Sequence, residues 1–492
     1  MGKEVSSAEY TREQRRDFRT RVRRGLDVFE LMLSHHHFEA GRPMTGLEIE
    51  LNLIDADGNP SFHNADVLQA IADPDYQTEL ARYNIELNSP PRTLGGESAL
   101  QREEELRASL NRAEERAAAK GSHICCIGIL PTLRSGHFGE DWISEERRYT
   151  ALNDSIFIAR GEDIEIDIEG PTERLQMWAD TIAPESACTS VQLHLQVSPG
   201  EFAPYWNAAQ AISGPQIAVG ANSPFLFGKR LWAETRIVLF KQATDTRPVE
   251  LRNQGVRPRV FFGERWANSV FDLFEENTRY FPSLLAEVSD EDPFAVLESG
   301  RAPELPEMCL HNGTIYRWNR PIYDVVDGKP HLRVENRVLP AGPTMIDTMA
   351  NAAFYYGLVR SLATSDRPVW SRLSFPTAFE NFAHCAKHGL EADVYWPGFG
   401  ELSVDELILR HLLPLAADGL ASWGVAQSVI DRYLPIIEQR CLTGLNGAAW
   451  QVQAVERFEA AGASRDEALH RMLQLYVEGM HGNEPVHTWA LP

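Results

Sequence analysis

The 492-residue chain has no long apolar run, so nothing in it reads as a membrane-spanning helix. Its N-terminal stretch, KEVSSAEYTREQRRDFRTRVRR, lacks the apolar core of a signal peptide and mixes acids among its bases, unlike a transit peptide. A cytoplasmic protein is expected. Cysteine is sparse: Cys125, Cys126, Cys188, Cys309, Cys385 and Cys441 form no CxxC pair, and reduced, mostly buried thiols are expected. Positive charge is short as well. Lys and Arg number 47 against 70 Asp and Glu, a net charge of −23, which repels phosphate backbones and anionic membranes and argues against nucleic acid as a partner. There is no internal repeat, low-complexity tract or obvious flexible linker. The familiar nucleotide and hydrolase signatures are missing too: no GxxxxGK[ST] loop, no GxGxxG after a strand, no GxSxG elbow and no HExxH helix. A nucleotide, if bound, must be held by metal ions and sheet side chains.

What is present is an ordinary globular composition, 43% hydrophobic and 24% charged. Residues 10–33 repeat Phe18, Val22, Leu26, Phe29 and Leu33 near helical spacing. From about 46 to 340, period-2 segments alternate with helical ones, including a charged helix at 100–120 ended by Gly121 and an apolar helix at 206–220. From about 343 onward the pattern is mostly helical. The expected architecture is α+β: an N-terminal helical segment (1–40), a catalytic sheet domain (41–342) and a helical C-terminal portion (343–492) packed on it.

Four period-2 segments carry the chemistry. A strand sends alternate side chains to opposite faces. In GLEIELNL (46–53), Leu47, Ile49, Leu51 and Leu53 share one face, and Glu48, Glu50 and Asn52 the other. In YNIELN (83–88), Tyr83, Ile85 and Leu87 oppose Asn84, Glu86 and Asn88. In TSVQLHLQV (189–197), Val191, Leu193, Leu195 and Val197 oppose Ser190, Gln192, His194 and Gln196. In LRVENRV (332–338), Leu332 and Val334 oppose Arg333, Glu335 and Arg337. Half-exposed antiparallel strands alternate in this way without any function. These polar faces, however, hold carboxylates, a histidine and arginines with no lysine. In one sheet the carboxylates would crowd, raise each other's pKa and call for cations. Mg²⁺ uses one or two carboxylates and completes its shell with water and phosphate oxygens, and an arginine fork beside it suits a phosphate. The face therefore reads as a metal–nucleotide–phosphate site.

GLEIE, YNIELNSPPR, TSVQLH, ANSPF (221–225) and RVENR, in that order, resemble the glutamate–cysteine ligase superfamily, which includes bacterial carboxylate–amine ligases; the resemblance covers roughly residues 40–360. It implies a curved antiparallel sheet of the glutamine synthetase type flanked by helices. It also implies use of ATP and Mg²⁺ to join a carboxylate, the glutamate side chain, to an amine, cysteine in the simplest case, as in glutathione biosynthesis. Carried over by residue, Glu48, Glu50, Glu86 and Glu335 are the implied metal ligands, with Glu335 and Arg337 acting in phosphoryl transfer. Glu79, seven residues before Glu86, is a weaker candidate. Gln192 and His194 are implied near metal and nucleotide, and Arg148 and Tyr149 near the amino-acid substrate. The segment HNGTIYRWNRP (311–321) departs from the plant-type aromatic pattern, and the chain after about 360 shows no such likeness. A ligase with a different acid or amine, a guanidino-kinase-like phosphotransferase and a catalytically silent relative are the other readings.

The remaining features have plainer expectations. His35-His36-His37 reads as a solvated helix end, and His384, Cys385 and His388 as a helix face rather than a zinc site. The acidic segment 164–170 reads as a solvated sheet edge. Arg230, Arg236, Arg247, Arg252, Arg257 and Arg259 read as salt-bridging arginines, with Arg236 the best candidate for a substrate anion. The pieces 444–451 and 482–489 either pack on the domain or close its site.

Overall fold

The computed structural model describes residues 5, 7, 10–35, 38–41, 43–139 and 141–492; His36 and His37 lie outside the described residues. A curled antiparallel half-barrel sheet organises it. Its strands are β1 (Met44–Ile54), β2 (Tyr76–Thr78), β3 (Asn84–Thr93), β4 (His123–Cys125), β5 (Val191–Val197), β6 (Asn319–Val326) and β7 (Lys329–Asn336). They lie in the order β6-β7-β5-β1-β3-β2, with β4 pairing the far end of β1. Neighbours distant in sequence thus meet: β5 lies between β1 and β7 although more than a hundred residues separate it from each.

Alternation decides which face is buried in apolar packing. Leu47, Ile49, Leu51 and Leu53 of β1, Ile85 and Leu87 of β3, Val191, Leu193, Leu195 and Val197 of β5, and Leu332 and Val334 of β7 are all buried in one core cluster. Burying each such side chain contributes roughly 1.5–3 kcal/mol. A one-residue slip in any strand would exchange these for the charged set, so the register is strongly specified. The apolar face is covered by the helices Phe202–Gly220 and Met345–Ala363, both buried on nearly every side. The helix Arg12–His35 packs through Phe18, Val22, Leu26, Phe29 and Met32 against the helices that precede β6.

Two helices of the C-terminal region cross at glycines. A Cβ on Gly357 would strike the carbonyl oxygen of Ala416, and one on Gly419 would strike the carbonyl of Gly357. We expect Gly357→Ala to lower stability by about 1–3 kcal/mol, the usual range for overpacking, measured as a shift of the denaturation midpoint at unchanged slope. An unchanged midpoint would show that the two helices do not approach so closely.

The C-terminal segments fold back on these helices. Asn483 Oδ1 accepts the backbone N–H groups of Met345 (3.0 Å) and Ile346 (3.2 Å), capping that helix. Asp347 accepts from Val486 N–H at 3.1 Å and from Arg440 at 2.7 Å. Trp489 stands edge-on to Trp450 (5.2 Å between centroids) and Tyr476 (5.3 Å). Asn222 of ANSPF donates to Ala341 O and Tyr476 Oη, both at 2.8 Å, and accepts from Gln451 at 2.8 Å. These pieces pack on the back of the domain and do not line the cavity described below.

The basic stretch is largely spent on ion pairs: Arg230 with Glu456, Arg236 with Glu234, Arg247 with Asp245, Arg252 with Glu165 and Arg257 with Glu264. Arg259 is buried and donates to the carbonyl of Thr314 at 2.9 Å. The acidic segment Ile164–Glu169 forms a separate hairpin with Arg174–Ala179, where Asp167 pairs with Arg174. His384 and His388 lie 4.4 Å apart between ring centroids on one helix face, and Cys385 is buried. Among the described residues, no helix is long and apolar enough to cross a membrane.

Candidate active site

Strand pairing brings the polar positions into one array. Across β1–β3, Glu50 stands opposite Glu86 and Glu48 opposite Asn88. Across β1–β5, Glu48 stands opposite Gln192 and Gly46 opposite His194. Across β5–β7 His194 faces Glu335, and across β6–β7 Glu335 faces Arg320. The alternation read from four separate segments therefore converges on one concave surface. It lines a cavity of about 820 Å³.

Two groups of potential ligand atoms stand on that surface, Glu48–His194–Glu335 and Glu50–Glu79–Glu86, and within each group the atoms lie within 4.8 Å of one another. His194 Nε2 is 3.1 Å from Glu48 and 3.8 Å from Glu335, and the imidazole is buried with no hydrogen-bond partner. Arg320 grips both oxygens of Glu335, at 2.6 and 3.0 Å. Arg337 lies 3.4 Å from Glu335 and donates to Gln192 Oε1. The other end of the Gln192 amide donates to Glu50 at 3.0 Å, so Gln192 ties the two groups together. Glu50 also accepts the backbone N–H of Ser190 at 2.6 Å, and Glu86 accepts from Asn88 at 2.8 Å.

Their electrostatics differ. Burial opposes ionisation of Glu48, but the His194 imidazole prevails and holds its carboxyl at about 2. Burial is likewise outweighed at Glu335, which Arg320 and Arg337 hold well below the usual carboxylate range. In the second group the compensation falls short. Burial and then the neighbouring Glu79 push Glu50 up to about 7 against the pull of Arg337. Burial, Glu48, Glu79 and Glu50 push Glu86 well above its ordinary value. Three carboxyls gathered in one group, and two more on either side of the His194 imidazole, form an oxygen-rich donor set suited to hard divalent cations. The residues present fit such ions.

The structure places every sequence-predicted residue on the cavity wall: Glu48, Glu50, Glu86, Gln192, His194, Glu335, Arg337, Arg236, Arg148 and Tyr149. They are not equally available. Arg236 is buried, bonded to Glu234 at 3.0 Å and to the carbonyl of Val338, so much of its fork is engaged in holding the loop after β7. Arg148 and Tyr149 open the helix Arg147–Arg160. The guanidinium lies 4.6 Å over the Tyr149 ring and donates to its hydroxyl, which in turn donates to Thr78 O at 3.0 Å. This links the pair to the residue before Glu79.

Three wall residues carried little or no sequence signal. Glu79 enters the second acid group from the turn between β2 and β3, outside any alternating segment. Arg320 became visible only through the β6–β7 pairing, although its strand does alternate Arg320, Ile322 and Asp324 on one face. Glu185 sits in the short 3₁₀ turn Ala183–Ala187, where no periodicity exists to read.

The model of glutamate–cysteine ligase family 2 (GCS2) matches residues 44–472, well past the stretch that the motifs alone cover. No curated protein matches the sequence. Among solved structures, the glutamate–cysteine ligase of Francisella tularensis in complex with AMP aligns with a TM-score of 0.54 at 11% identity, covering 93% of this chain and 91% of that one. A bifunctional glutathione synthetase from Pasteurella multocida aligns with a TM-score of 0.51 at 13% identity, covering 92% of this chain but 54% of the other, so this chain spans about half of that protein's length. At such identities these two likenesses speak for the fold, the curled half-barrel sheet. The family match spans most of the chain, and on that ground the chain belongs to glutamate–cysteine ligase family 2 and so to the carboxylate–amine ligases.

Proposed function

We propose that the protein joins the side-chain carboxylate of glutamate to an amine at the expense of ATP, through an acyl phosphate. Cysteine is the amine for which the family is named. The observation that carries this reading is the pair of ligand groups, Glu48–His194–Glu335 and Glu50–Glu79–Glu86, set side by side on one face with Arg337 reaching both through Gln192 and Glu335. Mg²⁺ held there would neutralise the oxygens of the ATP phosphates. Among the protein's own groups, Arg337 is placed to take charge that develops on the transferring phosphoryl group. Burial opposes its charge, but Glu335 and Glu50 keep the guanidinium more firmly protonated than usual.

A carboxylate is a poor acceptor for an amine because its charge is delocalised. In the first step a glutamate oxygen attacks Pγ, the bond from Pγ to the bridging oxygen breaks, and ADP leaves with the electron pair. In the second, the uncharged amine attacks the acyl carbon, the C–N bond forms, and the C–O bond breaks to release inorganic phosphate. The attacking nitrogen gives up a proton. The cavity walls would hold the partners in place, and keeping bulk water from the acyl phosphate would spare it hydrolysis.

The test is product analysis with ATP, Mg²⁺, glutamate and a panel of amines. ADP, free phosphate and an amide of the expected mass are the predicted products. A phosphorylated stable product would instead name a phosphotransferase, and failure to bind Mg·ATP a silent relative.

A pH dependence follows from the second acid group. Glu50 is raised, so the folded state holds its proton more tightly than the unfolded state. Between its ordinary value of 4.5 and about 7 the unfolded chain binds fewer protons, and stability from this group falls as pH rises. Without Mg²⁺ the melting temperature should therefore decline across that window. Added Mg²⁺ should raise it more at pH 8 than at pH 5.5, because binding must displace the proton. An equal Mg²⁺ effect at both pH values would remove Glu50 from the site.

A further inference from the structure

One residue on the apolar phase of β7 is polar. Leu332, Val334 and Val338 are buried on that phase, and so is Asn336, which stands between Glu335 and Arg337. Its partner across the β6–β7 pairing is Asn319, at the open end of the hairpin. Asn319 is equally buried, on the phase of Pro321 and Tyr323. Three more polar side chains meet this pair from the helix Phe202–Gly220. Gln210, Ser213 and Gln216 are all buried, and their three-residue spacing makes successive ones neighbours on the helix.

Their hydrogen bonds close among themselves. Gln216 Nε2 donates to Asn336 Oδ1 at 2.7 Å, and Asn336 Nδ2 returns a bond to Gln216 Oε1 at 3.1 Å. Asn336 Nδ2 also donates to Asn319 Oδ1 at 2.8 Å. Asn319 Nδ2 donates to Gln210 Oε1 at 2.6 Å and to Ser213 Oγ at 3.3 Å. Trp206 of the same helix donates to the backbone carbonyl of Asn319 at 2.9 Å. No buried polar atom of these five side chains is without a partner.

Stability alone does not call for such a cluster, because exchanging mutually bonded groups for apolar ones of like shape is nearly neutral. What hydrogen bonds add is direction, which apolar packing lacks. Here direction matters on the opposite face. Alternation turns Glu335 and Arg337 into the cavity from either side of Asn336, and Arg320, which grips Glu335, follows Asn319 in sequence. A hairpin that rocked or slid at this end would carry all three charged groups with it.

We propose that Asn336 and Asn319, locked by Gln210, Ser213 and Gln216, are positioning residues that hold Glu335, Arg320 and Arg337 at the spacing a divalent cation and a phosphoryl group require. This inference rests on the ligase reading and adds to it the support beneath the Glu48–His194–Glu335 group.

The test compares the full chain with the double variant Asn336→Leu/Gln216→Met, in which both members of the reciprocal pair become apolar. Its melting temperature should stay within about 5 °C of the wild type. The dissociation constant for Mg²⁺, titrated calorimetrically as MgCl₂, should rise about tenfold or more, and the Mg²⁺ concentration for half-maximal ADP release with it. In the same variant kcat should fall about 10²-fold while KM for the amine moves less than about twofold. A purely structural role would reduce the amount of active protein and leave both Mg²⁺ values unchanged. That result, or wild-type kcat in the double variant, would overturn the inference and leave the ligase reading standing. No amide from the wild type with any amine would remove the ligase reading and this inference together. Should the double variant fail to fold, Gln216→Met alone, which leaves Asn336 bonded to Asn319, should raise both Mg²⁺ values about fivefold, the scale of one neutral hydrogen bond. Unchanged values there would overturn the inference too.

Discussion

Glu335→Gln should abolish ATP-dependent ligation while the chain still folds. The substitution keeps the volume and one carbonyl oxygen, so Arg320, which now holds both carboxylate oxygens at 2.6 and 3.0 Å, retains an acceptor. What is lost is the charge. Glu335 is buried and lies within reach of His194, Arg320 and Arg337, and its ionised form is strongly favoured by the two guanidinium groups after burial has opposed it. Without it the Glu48–His194–Glu335 group loses one of its two acids, and the half-buried Arg320 and Arg337 lose their counter-charge. We expect kcat to fall by about 10²–10³-fold or more, the scale for removing one preorganised electrostatic group, and stability to fall by about 1–3 kcal/mol. Circular dichroism and a melting curve establish the fold, and ADP release gives kcat. Turnover near that of the wild type would reject the assignment of this residue.

Arg337→Lys should have the second largest effect. Lysine keeps the positive charge but not the planar fork. In the structure the single nitrogen Nη1 contacts both Gln192 and Glu335, and Gln192 continues to Glu50, so Arg337 connects both ligand groups. An ammonium group taking the place of Nη1 brings no second nitrogen to present to a phosphoryl oxygen at the same time. We expect kcat to drop by about 10²-fold with the KM for the amine little changed, because the contact proposed for Arg337 is with the transferring phosphoryl group and not with the acceptor. A rise in amine KM at constant kcat would instead place Arg337 on the acceptor side of the cavity.

Period-2 patterning made much of this site legible. Glu48, Glu50, Glu86, Gln192, His194, Glu335 and Arg337 each occupy the polar phase of an apolar strand, and a buried apolar phase leaves one orientation for the other. That pattern states which face a residue takes but not which strand lies beside it. The contact of His194 with Glu335 depends on β5 pairing with β7, segments more than a hundred residues apart, whereas that of Glu335 with Arg320 needs only the β6–β7 hairpin. Residues outside regular strands were out of reach for another reason. Glu79 and Glu185 sit in turns, where no repeating geometry converts spacing into direction. Arg236 shows the opposite difficulty: its place after ANSPF was readable, but not its pairing with Glu234, the residue just before the helix Thr235–Ala243 that carries Arg236, whose direction is set only when that junction is built. The C-terminal tail was readable as glycine, proline and tryptophan in company. That it caps the helix Met345–Ala363 through Asn483 required the fold.

On the ligase proposal, this concave face activates a carboxylate by phosphorylating it. Glutamate labelled with ¹⁸O in its side-chain carboxylate, turned over with ATP, Mg²⁺ and an accepted amine, tests that directly through the mass of the phosphate released. One ¹⁸O atom is expected in each phosphate, carried over when the acyl C–O bond breaks. Phosphate free of label would mean that the glutamate oxygen never bonded to phosphorus, and would contradict the proposal.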